Sequence, residues 1–248
     1  MQLFGLICVA AYCTTAFVVA AKMLRLASRT GESPELLIGV ALLVGGAVGY
    51  PASIAALLTA SRDPALALRL TTGANLALYL SCFTMLLTWC VVYHRGQPWA
   101  RYVVVAVSAL LFVSFVDRTA AVDLQALSRA ERSAHPGYLR SLAVQLLPHL
   151  LNAVSGLHYH SMLRRRVRLG LADPAVSNRI ALWASGSVMV VLQYSYGLAT
   201  PWMSQWFDAS AVSSVIVGSF GLTIAILLAF AFFPPDRYLR WVRLRAQA

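Results

Sequence analysis

The sequence predicts an all-helical membrane protein, and three observations lead to this fold class. First, 59% of the 248 residues are hydrophobic and only 12% are charged, whereas a typical soluble domain has about 45–50% apolar and about 25% charged residues. Second, the apolar residues form seven long runs, and a helix needs about 20 such residues to cross a bilayer. Third, the runs do not alternate apolar and polar residues as the strands of an outer-membrane barrel would. A large soluble enzyme, a disordered chain and a fibrous chain are therefore excluded.

The seven predicted transmembrane helices follow one another in a single domain. They cover residues 2–23, 35–60, 69–93, 100–117, 138–163, 178–199 and 209–233. The first run begins without a positive charge and its basic residues come after the apolar stretch, so we expect a retained helix rather than a cleaved signal peptide. The four cysteines lie inside apolar runs and form no CxxC pair, which argues against a disulfide scaffold and a cysteine metal site.

The distribution of Lys and Arg predicts the orientation of the helices. Most of these residues follow helices 1, 3 and 5 or lie in the C-terminal tail, and the minority lie on the other side: Arg62, Arg69, Arg118, Arg129, Arg132 and Arg140. Because cytoplasmic loops collect Lys and Arg, we expect an outside N-terminus and a cytoplasmic C-terminus in a bacterial cytoplasmic (inner) membrane. The net charge of +11 then serves orientation and anchoring to anionic headgroups. We expect membrane lipids as partners and no nucleic acid.

Two halves of the sequence are alike at an offset of about 140 residues, which predicts an internal duplication. Lys-Met-Leu-Arg at 22–25 is followed by Pro34, and Ser-Met-Leu-Arg at 161–164 is followed by Pro174. We expect three helices in repeat A (1–98), a linker helix (99–137) and three helices in repeat B (138–248). Chance similarity between segments rich in Leu, Ala and Val is the alternative.

This 3+1+3 plan is shared with SWEET-type sugar transporters, and microbial rhodopsins and heptahelical receptors also have seven helices. The strings Tyr93-His94-Arg95 and Phe232-Phe233-Pro234-Pro235-Asp236-Arg237-Tyr238 resemble those of bacterial seven-helix membrane sensor-type proteins. In some of those proteins the seven-helix region precedes a histidine-kinase or cyclase domain. The resemblance implies a sensor with a cytoplasmic signalling partner, although no such domain follows before Ala248.

The residues themselves exclude a retinal protein and disfavour a SWEET-type transporter. A retinal protein needs a lysine in the middle of helix 7, whereas Lys22 is the only lysine in the chain. The Pro-Gln pairs that are typical of SWEET-type transporters are missing from helices 1 and 5.

Five polar residues of helix 5 are three or four positions apart and therefore share one helix face: Ser141, Gln145, His149, Asn152 and Ser155. Polar groups in the apolar layer are costly unless they are partnered, so we expect this face to point into the bundle. Other helices carry polar residues at similar depth: Tyr50, Ser53, Asn75, Tyr79, Asp117, Gln193, Tyr194, Tyr196, Ser213 and Ser214.

We interpret this coincidence as an outward-facing pocket for a small molecule. The predicted ligand-binding residues are Asn75, Tyr79, Gln145, His149, Asn152, Gln193 and Tyr194, with both tyrosine rings on the pocket wall. The alternative is that these groups only form hydrogen bonds that hold the helices together. His149 is expected near the midplane, where it would form a polar ladder with Gln145 and Asn152, and Pro148 would free the carbonyl of Val144 as a further acceptor.

Metal, haem and catalytic chemistry find little support in the sequence. A bis-histidine haem needs two histidines at matched depth, and only His149 lies near the midplane. His94, His158 and His160 are at helix ends without a carboxylate or cysteine beside them, so we expect no metal and no cofactor. No acidic residue lies deep within a span, and we expect no catalytic residues and no enzyme.

Asp117 is expected to pair with Arg118 or Arg140 at the rim, below an outer loop (118–137) that is either an amphipathic lid or a solvated connector.

Three functions remain open. A receptor or sensor, alone or as a homo-oligomer, would bind its ligand in the outer pocket. A small-molecule transporter would use the same site with alternating access, and an accessory membrane protein would bind no ligand. The inner halves of helices 3 and 7, at 85–87 and 224–230, are almost wholly apolar. An inward route would therefore be closed, and this favours the receptor.

Overall fold

The computed structural model describes residues 2–120, 135–203 and 209–247, and this part of the chain contains helices and no strands. A π-helical segment, Leu42–Gly49, joins α2 to α3. The α-helices are α1 (Gln2–Thr30), α2 (Ser33–Ala41), α3 (Tyr50–Thr59), α4 (Pro64–Tyr93), α5 (Pro98–Ala120), α6 (Pro136–Arg168), α7 (Pro174–Met203), α8 (Ala209–Phe232) and α9 (Asp236–Gln247). The prediction of an all-helical fold is confirmed for these residues. The loop residues 121–134 and the side chains of Ser213 and Ser214 lie outside the described part.

Six helical spans are long and apolar enough to cross a membrane. They are Leu3–Thr30, Ser33–Thr59, Pro64–Tyr93, Pro98–Thr119, Pro174–Met203 and Val215–Phe232. Large apolar side chains cover their outer surfaces, as at Leu57 and Leu58, which are each 70% exposed, and at Phe112. Such a surface is unfavourable in water and typical of lipid contact. The helix that was expected over 138–163 is present as α6, but it is not among these six.

The helices extend beyond the apolar runs because prolines begin them. Pro64, Pro98, Pro136 and Pro174 each stand at the start of a helix, where the missing N–H of proline costs no hydrogen bond. Asp63 Oδ1 accepts a hydrogen bond from the Leu66 amide at 2.9 Å, as expected of an N-cap. Helices that the hydropathy pattern began at 69 and 178 therefore start several residues earlier.

The long helices form a closed ring of neighbours. α1 packs against α2 and α8, α4 packs against the α2–α3 span and α6, and α7 packs against both α6 and α8. α5 packs between α4 and α6. Consecutive long helices run in opposite directions, so the bundle has two ends. We call the end where α1, α4, α6 and α8 finish the arginine-rich end, and the end where α3, α5 and α7 finish the opposite end.

The arginine-rich end contains two connections that the sequence did not reveal. Lys22 Nζ donates a hydrogen bond to the carbonyl oxygen of Phe232 at 2.6 Å and thereby joins α1 to the last turn of α8. The basic tail forms a helix, α9, rather than an extended chain. Tyr238 OH of this helix donates to Asn178 Oδ1 of α7 at 3.0 Å, while Trp241 remains half exposed.

Candidate functional site

A cavity of about 80 Å³ lies at mid-depth inside the ring. Its walls come from α1, the α2–α3 span, α4, α6, α7 and α8, and most lining residues lie near the middle of their helices. The polar and sulfur-containing lining residues are Tyr12, Tyr50, Ser81, Cys82, His149, Gln193 and Tyr194. The others are aliphatic residues and glycines. No Asp, Glu, Lys or Arg is among the described residues that line the cavity.

The π-helical segment shapes one wall of the cavity. Gly45 lies on this wall, and a Cβ added there would overlap the side chain of Ser81 on α4. Glycine therefore allows the segment to lie directly against α4. Ser81 Oγ in turn donates a hydrogen bond to the carbonyl of Ala41 at 2.9 Å, immediately before the π-helical turn. Local π-helical turns are often found at functional sites, because they change which residues face a neighbouring helix.

Aromatic rings face each other across two parts of the wall. The Tyr12 and Tyr50 rings meet edge to face, with centroids 5.3 Å apart. The His149 imidazole stacks on Tyr194, with centroids 5.8 Å apart and ring planes 25° from parallel. Gln193 Nε2 donates a hydrogen bond to Tyr50 OH at 2.9 Å. These contacts hold the rings in place around the cavity.

Several hydrogen-bonding groups of the wall have no partner among the described residues. Neither the Tyr12 hydroxyl nor the His149 ring nitrogens form a hydrogen bond within the part of the chain that the structure describes. Gln193 uses its amide nitrogen on Tyr50, and its Oε1 accepts no hydrogen bond from any described residue. Unpaired polar groups are unfavourable in an apolar bundle. They are satisfied when water or another molecule occupies the space in front of them.

A chain of hydrogen bonds leads from the cavity toward the opposite end. Tyr194 OH donates to Gln145 Oε1 at 3.2 Å, and Gln145 Nε2 donates to Ser141 Oγ at 2.9 Å. Arg118 donates to the same Ser141 oxygen at 2.7 Å and lies over the Tyr138 ring. Side chains from three different helices are thus connected between the cavity and Arg118.

The rim next to Arg118 contains a salt bridge. Arg140 Nη2 and Asp117 Oδ2 are 2.8 Å apart, which confirms the expected pairing of Asp117. Both side chains are largely exposed, and a bridge of this kind contributes little to stability.

An apolar cluster lies between the cavity and the arginine-rich end. On α1, α4 and α8 its members follow the cavity residues in the direction of that end, and on α7 Trp183 precedes them. The buried residues of the cluster are Val19, Ala20, Met23, Ala41, Leu42, Met85, Trp183, Ile224, Leu228, Ala231 and Phe232. The cavity therefore has a polar side toward the opposite end and an apolar floor toward the arginine-rich end.

Three of the seven predicted ligand-binding residues line the cavity: His149, Gln193 and Tyr194. Gln145 is buried one hydrogen bond behind the wall, through Tyr194. Tyr79 does not line the cavity. Its hydroxyl lies 2.8 Å from both Ser114 Oγ and Ser141 Oγ, so the expectation that both tyrosine rings lie on the pocket wall is met only by Tyr194.

The remaining two predicted residues also lie away from the wall. Asn75 is half-buried on α4 and forms no hydrogen bond within the described residues. Asn152 is fully buried, and its Nδ2 donates to the carbonyls of Met85 at 2.9 Å and Pro148 at 2.8 Å. The expected ladder is not formed, because Asn152 bonds the backbone and Gln145 bonds Ser141 and Tyr194. The further acceptor is the Pro148 carbonyl rather than that of Val144.

The cavity includes residues that sequence reasoning missed. Tyr12 and Cys82 are on its wall, as are Gly218 and Gly221 of α8. Tyr12 was missed because no charged, amide or imidazole side chain lies near it on α1. The glycines at 218 and 221 are three positions apart, and this spacing on one helix face was the only available signal.

The histidines at the arginine-rich end pack with aromatic residues and serines. His94 packs against both Trp89 and Trp99, with centroid distances of 4.7 Å to each ring, and its Nε2 is 3.3 Å from Ser155 Oγ. Partial burial lowers the pKa of His94 below its ordinary value. His160 Nδ1 is 3.0 Å from the Ser177 carbonyl oxygen. Among the described residues, no three His, Cys, Asp or Glu side chains are grouped as a metal site would require.

Comparison with known proteins does not add a relative to these observations. No protein-family model, no curated protein and no solved structure matches the chain.

Proposed function

We propose that this protein is a seven-helix membrane receptor or sensor that binds a small molecule in the central cavity. The observation that carries the proposal is the cavity itself. It lies at mid-depth, and its wall includes hydrogen-bonding groups of Tyr12, His149 and Gln193 that pair with no described residue. Ligand sites in proteins usually combine an apolar wall with a few polar groups of this kind.

In this proposal α6 is the seventh membrane-crossing helix. It has 33 residues, about 50 Å at 1.5 Å per residue, and so exceeds a hydrocarbon core of about 30 Å. Its mean hydropathy is lowered by polar residues that are buried, such as Ser141, Gln145 and Asn152. Its exposed side carries Val154 and Leu157. A helix with polar residues inside the bundle and apolar residues outside is compatible with lipid.

The proposed orientation has the N-terminus outside and the C-terminus in the cytoplasm of a bacterial inner membrane. The arginine-rich end would be cytoplasmic, in agreement with the distribution of basic residues. A signalling partner would then meet the protein at this end, and the cavity would be reached from outside. Lipids surround the apolar surface, and the protein acts alone or as a homo-oligomer.

Two features support the proposed 3+1+3 duplication. In a duplicated ring, the contact between the third helix of repeat A and the first helix of repeat B has a counterpart between the last helix and the first. Both contacts occur, as α4 with α6 and as α8 with α1. Close approaches of small residues also recur about 140 positions apart, with Gly156 at the position that corresponds to Ala16 and Ala184 at the position that corresponds to Gly46. A Cβ on Gly46 would lie 2.5 Å from the Ala16 Cβ, and one on Gly156 would lie 2.9 Å from the Ala184 Cβ.

A transporter is the second candidate, because its substrate site would also lie near the midplane. The π-helical segment beside the cavity and Pro148 within α6 are the kinds of helix irregularity that such sites use. The apolar cluster between the cavity and the arginine-rich end, which includes Met85 and Phe232, favours the receptor. A transported molecule would have to pass through this packed layer.

The experiment compares binding with transport. The purified protein is screened with small molecules for a rise in melting temperature, and each hit is then tested for uptake into proteoliposomes. A receptor predicts stabilisation without uptake, and replacement of His149 by Leu should preserve folding but remove the stabilisation. Uptake of a hit would favour the transporter. Equal stabilisation of the His149→Leu variant would contradict a ligand-binding role for His149.

A further inference from the structure

The chemistry of the cavity wall restricts what can bind there. No described lining residue carries a formal charge at neutral pH, apart from what His149 would carry if it were protonated. A fully charged ligand would leave water for an apolar bundle without an opposite charge to pair with, which is strongly unfavourable. The cavity therefore selects against anions and cations.

The same wall offers hydrogen-bond donors and acceptors together. Tyr12 OH can donate or accept, and a neutral imidazole at His149 has one nitrogen of each kind. Gln193 Oε1 adds an acceptor, since its amide nitrogen is already bonded to Tyr50. A ligand that has both a donor and an acceptor can pair with these groups, whereas a hydrocarbon would leave them all unpaired.

The size of the cavity sets the remaining limit. A volume of about 80 Å³ is several times what one water molecule requires. It suits a molecule of only a few non-hydrogen atoms. The aliphatic part of the wall, which includes Val9, Val217 and Ile224, would contact an apolar group on such a molecule.

We propose that the cavity binds a small uncharged molecule that has a hydrogen-bond donor, an acceptor and a short apolar group, as a simple primary amide has. This inference rests on the proposed receptor function, because it specifies the ligand class of the same cavity. Tyr12 and His149 pair with the polar group, and the aliphatic wall contacts the methyl or methylene end. Molecules of this size bind weakly, with dissociation constants on the order of 1–10 mM.

Three probes of nearly equal shape test the proposal: acetamide, which is neutral, acetate, which is an anion, and acetamidinium, which is a cation. Each has one methyl group, whose saturation transfer from the full-length protein in deuterated lipid nanodiscs is measured by NMR. We expect a saturable acetamide signal and less than one fifth of that signal for either ion at the same concentration.

A variant that fills the cavity and a matched control show whether the acetamide signal comes from binding in the cavity. Gly221 lines the cavity on α8, and a Cβ added there would meet no atom within 4 Å, so the side chain of Gly221→Leu should begin in open space and occupy the cavity. Gly73 of α4 also has open space around an added Cβ, but it is exposed and away from the cavity. Gly221→Leu should reduce the acetamide signal at least fivefold, and Gly73→Leu should leave it unchanged.

The outcomes separate this inference from the receptor proposal. If acetate or acetamidinium gives the signal that Gly221→Leu removes, the cavity binds a ligand but the neutral class is wrong. If no probe gives a signal that depends on Gly221, the cavity holds water only, and both the ligand class and the receptor proposal are overturned.

Discussion

Single residues of α6 show how polar groups are accommodated inside this bundle. Asn152 is fully buried and donates from one nitrogen to two backbone carbonyls, those of Met85 and Pro148. The Met85 carbonyl belongs to α4, so this side chain bonds two helices directly. Its own Oδ1 is buried without a hydrogen-bond partner within the described residues. Asn152 thus contributes to stability through its donors alone.

Replacing Asn152 by Ala should destabilise the protein. The variant loses both hydrogen bonds and leaves a small void, and we expect the free energy of unfolding to fall by roughly 0.6–2 kcal/mol. The matched control is Asn75→Ala, because Asn75 is half-buried and forms no hydrogen bond within the described residues. Reversible unfolding in mixed micelles measures both variants. Equal effects of the two substitutions would show that the Asn152 contacts do not stabilise the bundle.

His94 gives the protein a predicted pH dependence at the arginine-rich end. Partial burial against Trp89 and Trp99 lowers the pKa of His94 below its usual 6.5, so the unfolded chain takes up a proton before the folded protein does. Stability should therefore be full above about pH 6.5 and decrease as the pH falls further. Melting temperatures between pH 7.5 and 5.5 should fall less in His94→Gln than in the parent. In the exposed control His158→Gln the melting temperature should fall as much as in the parent. An equally large fall in His94→Gln would contradict the assignment of the pH dependence to His94.

At this scale the sequence predicted which residues point inward, but not what they contact. The spacing of Ser141, Gln145, His149 and Asn152 predicted a common face, and the structure has three of them buried and the fourth on the cavity wall. The contacts depend on which helices are neighbours and on their relative heights. Helix periodicity contains no information about either. For that reason Tyr79, at a suitable depth, bonds Ser114 and Ser141 instead of lining the cavity.

Among the helical elements, the second span departs most from its prediction. Hydropathy predicted one uniform helix over 35–60, whereas the structure has α2, the π-helical segment Leu42–Gly49 and α3. The segment contains Gly45 and Gly46, which pack closely against Ser81 of α4 and Ala16 of α1. Hydropathy averages over a window and cannot detect such a local change. The glycine pair was present in the sequence, but its meaning depends on the neighbours.

The close approach of Gly45 and Ser81 can be tested with a double-mutant cycle. Gly45→Ala should destabilise the protein by about 1–3 kcal/mol, because its methyl group would overlap the Ser81 side chain. Ser81→Gly removes that side chain and so makes room for the methyl group. The double variant should therefore be more stable than the sum of the single effects predicts, by at least about 0.5 kcal/mol. Strictly additive free energies of unfolding would rule out the contact.

The C-terminal helix α9 is an element that hydropathy could not reveal. It contains four arginines, and its apolar residues are too few for a membrane span. The side with Tyr238 and Val242 packs on the bundle, while Trp241 and Leu244 are exposed. The available signal was the spacing of three and four between its apolar residues, which the concentration of arginines obscured.

For the whole molecule, composition alone predicted a helical protein with apolar outer surfaces. Six spans satisfy the length and composition that a membrane requires, and α6 differs because its polar residues are enclosed by other helices. Composition could not give the order of the helices in the ring. That order depends on which side chains fit together, as where Lys22 of α1 bonds the Phe232 carbonyl in the last turn of α8.

Reporter fusions test the proposed orientation of the whole bundle. After Ala248, only a reporter that works in the cytoplasm should be active. At 118–137, only a reporter that works outside the membrane should be active. This follows from the excess of basic residues at the arginine-rich end. The two sites lie on opposite sides only if an odd number of spans separates them. Activity on the same side would therefore exclude a membrane-crossing α6. The reverse pattern would mean that the cavity is reached from the cytoplasm and not from outside.

A density map of the protein in lipid nanodiscs is the measurement that tests the central claim most directly. The account predicts seven helices across the bilayer, with Pro136–Arg168 as one member of the ring, and non-protein density between Tyr12, His149 and Gln193. A map in which Pro136–Arg168 lies outside the bilayer would contradict the proposed architecture. A map in which side chains fill the space between those three residues would contradict the ligand site.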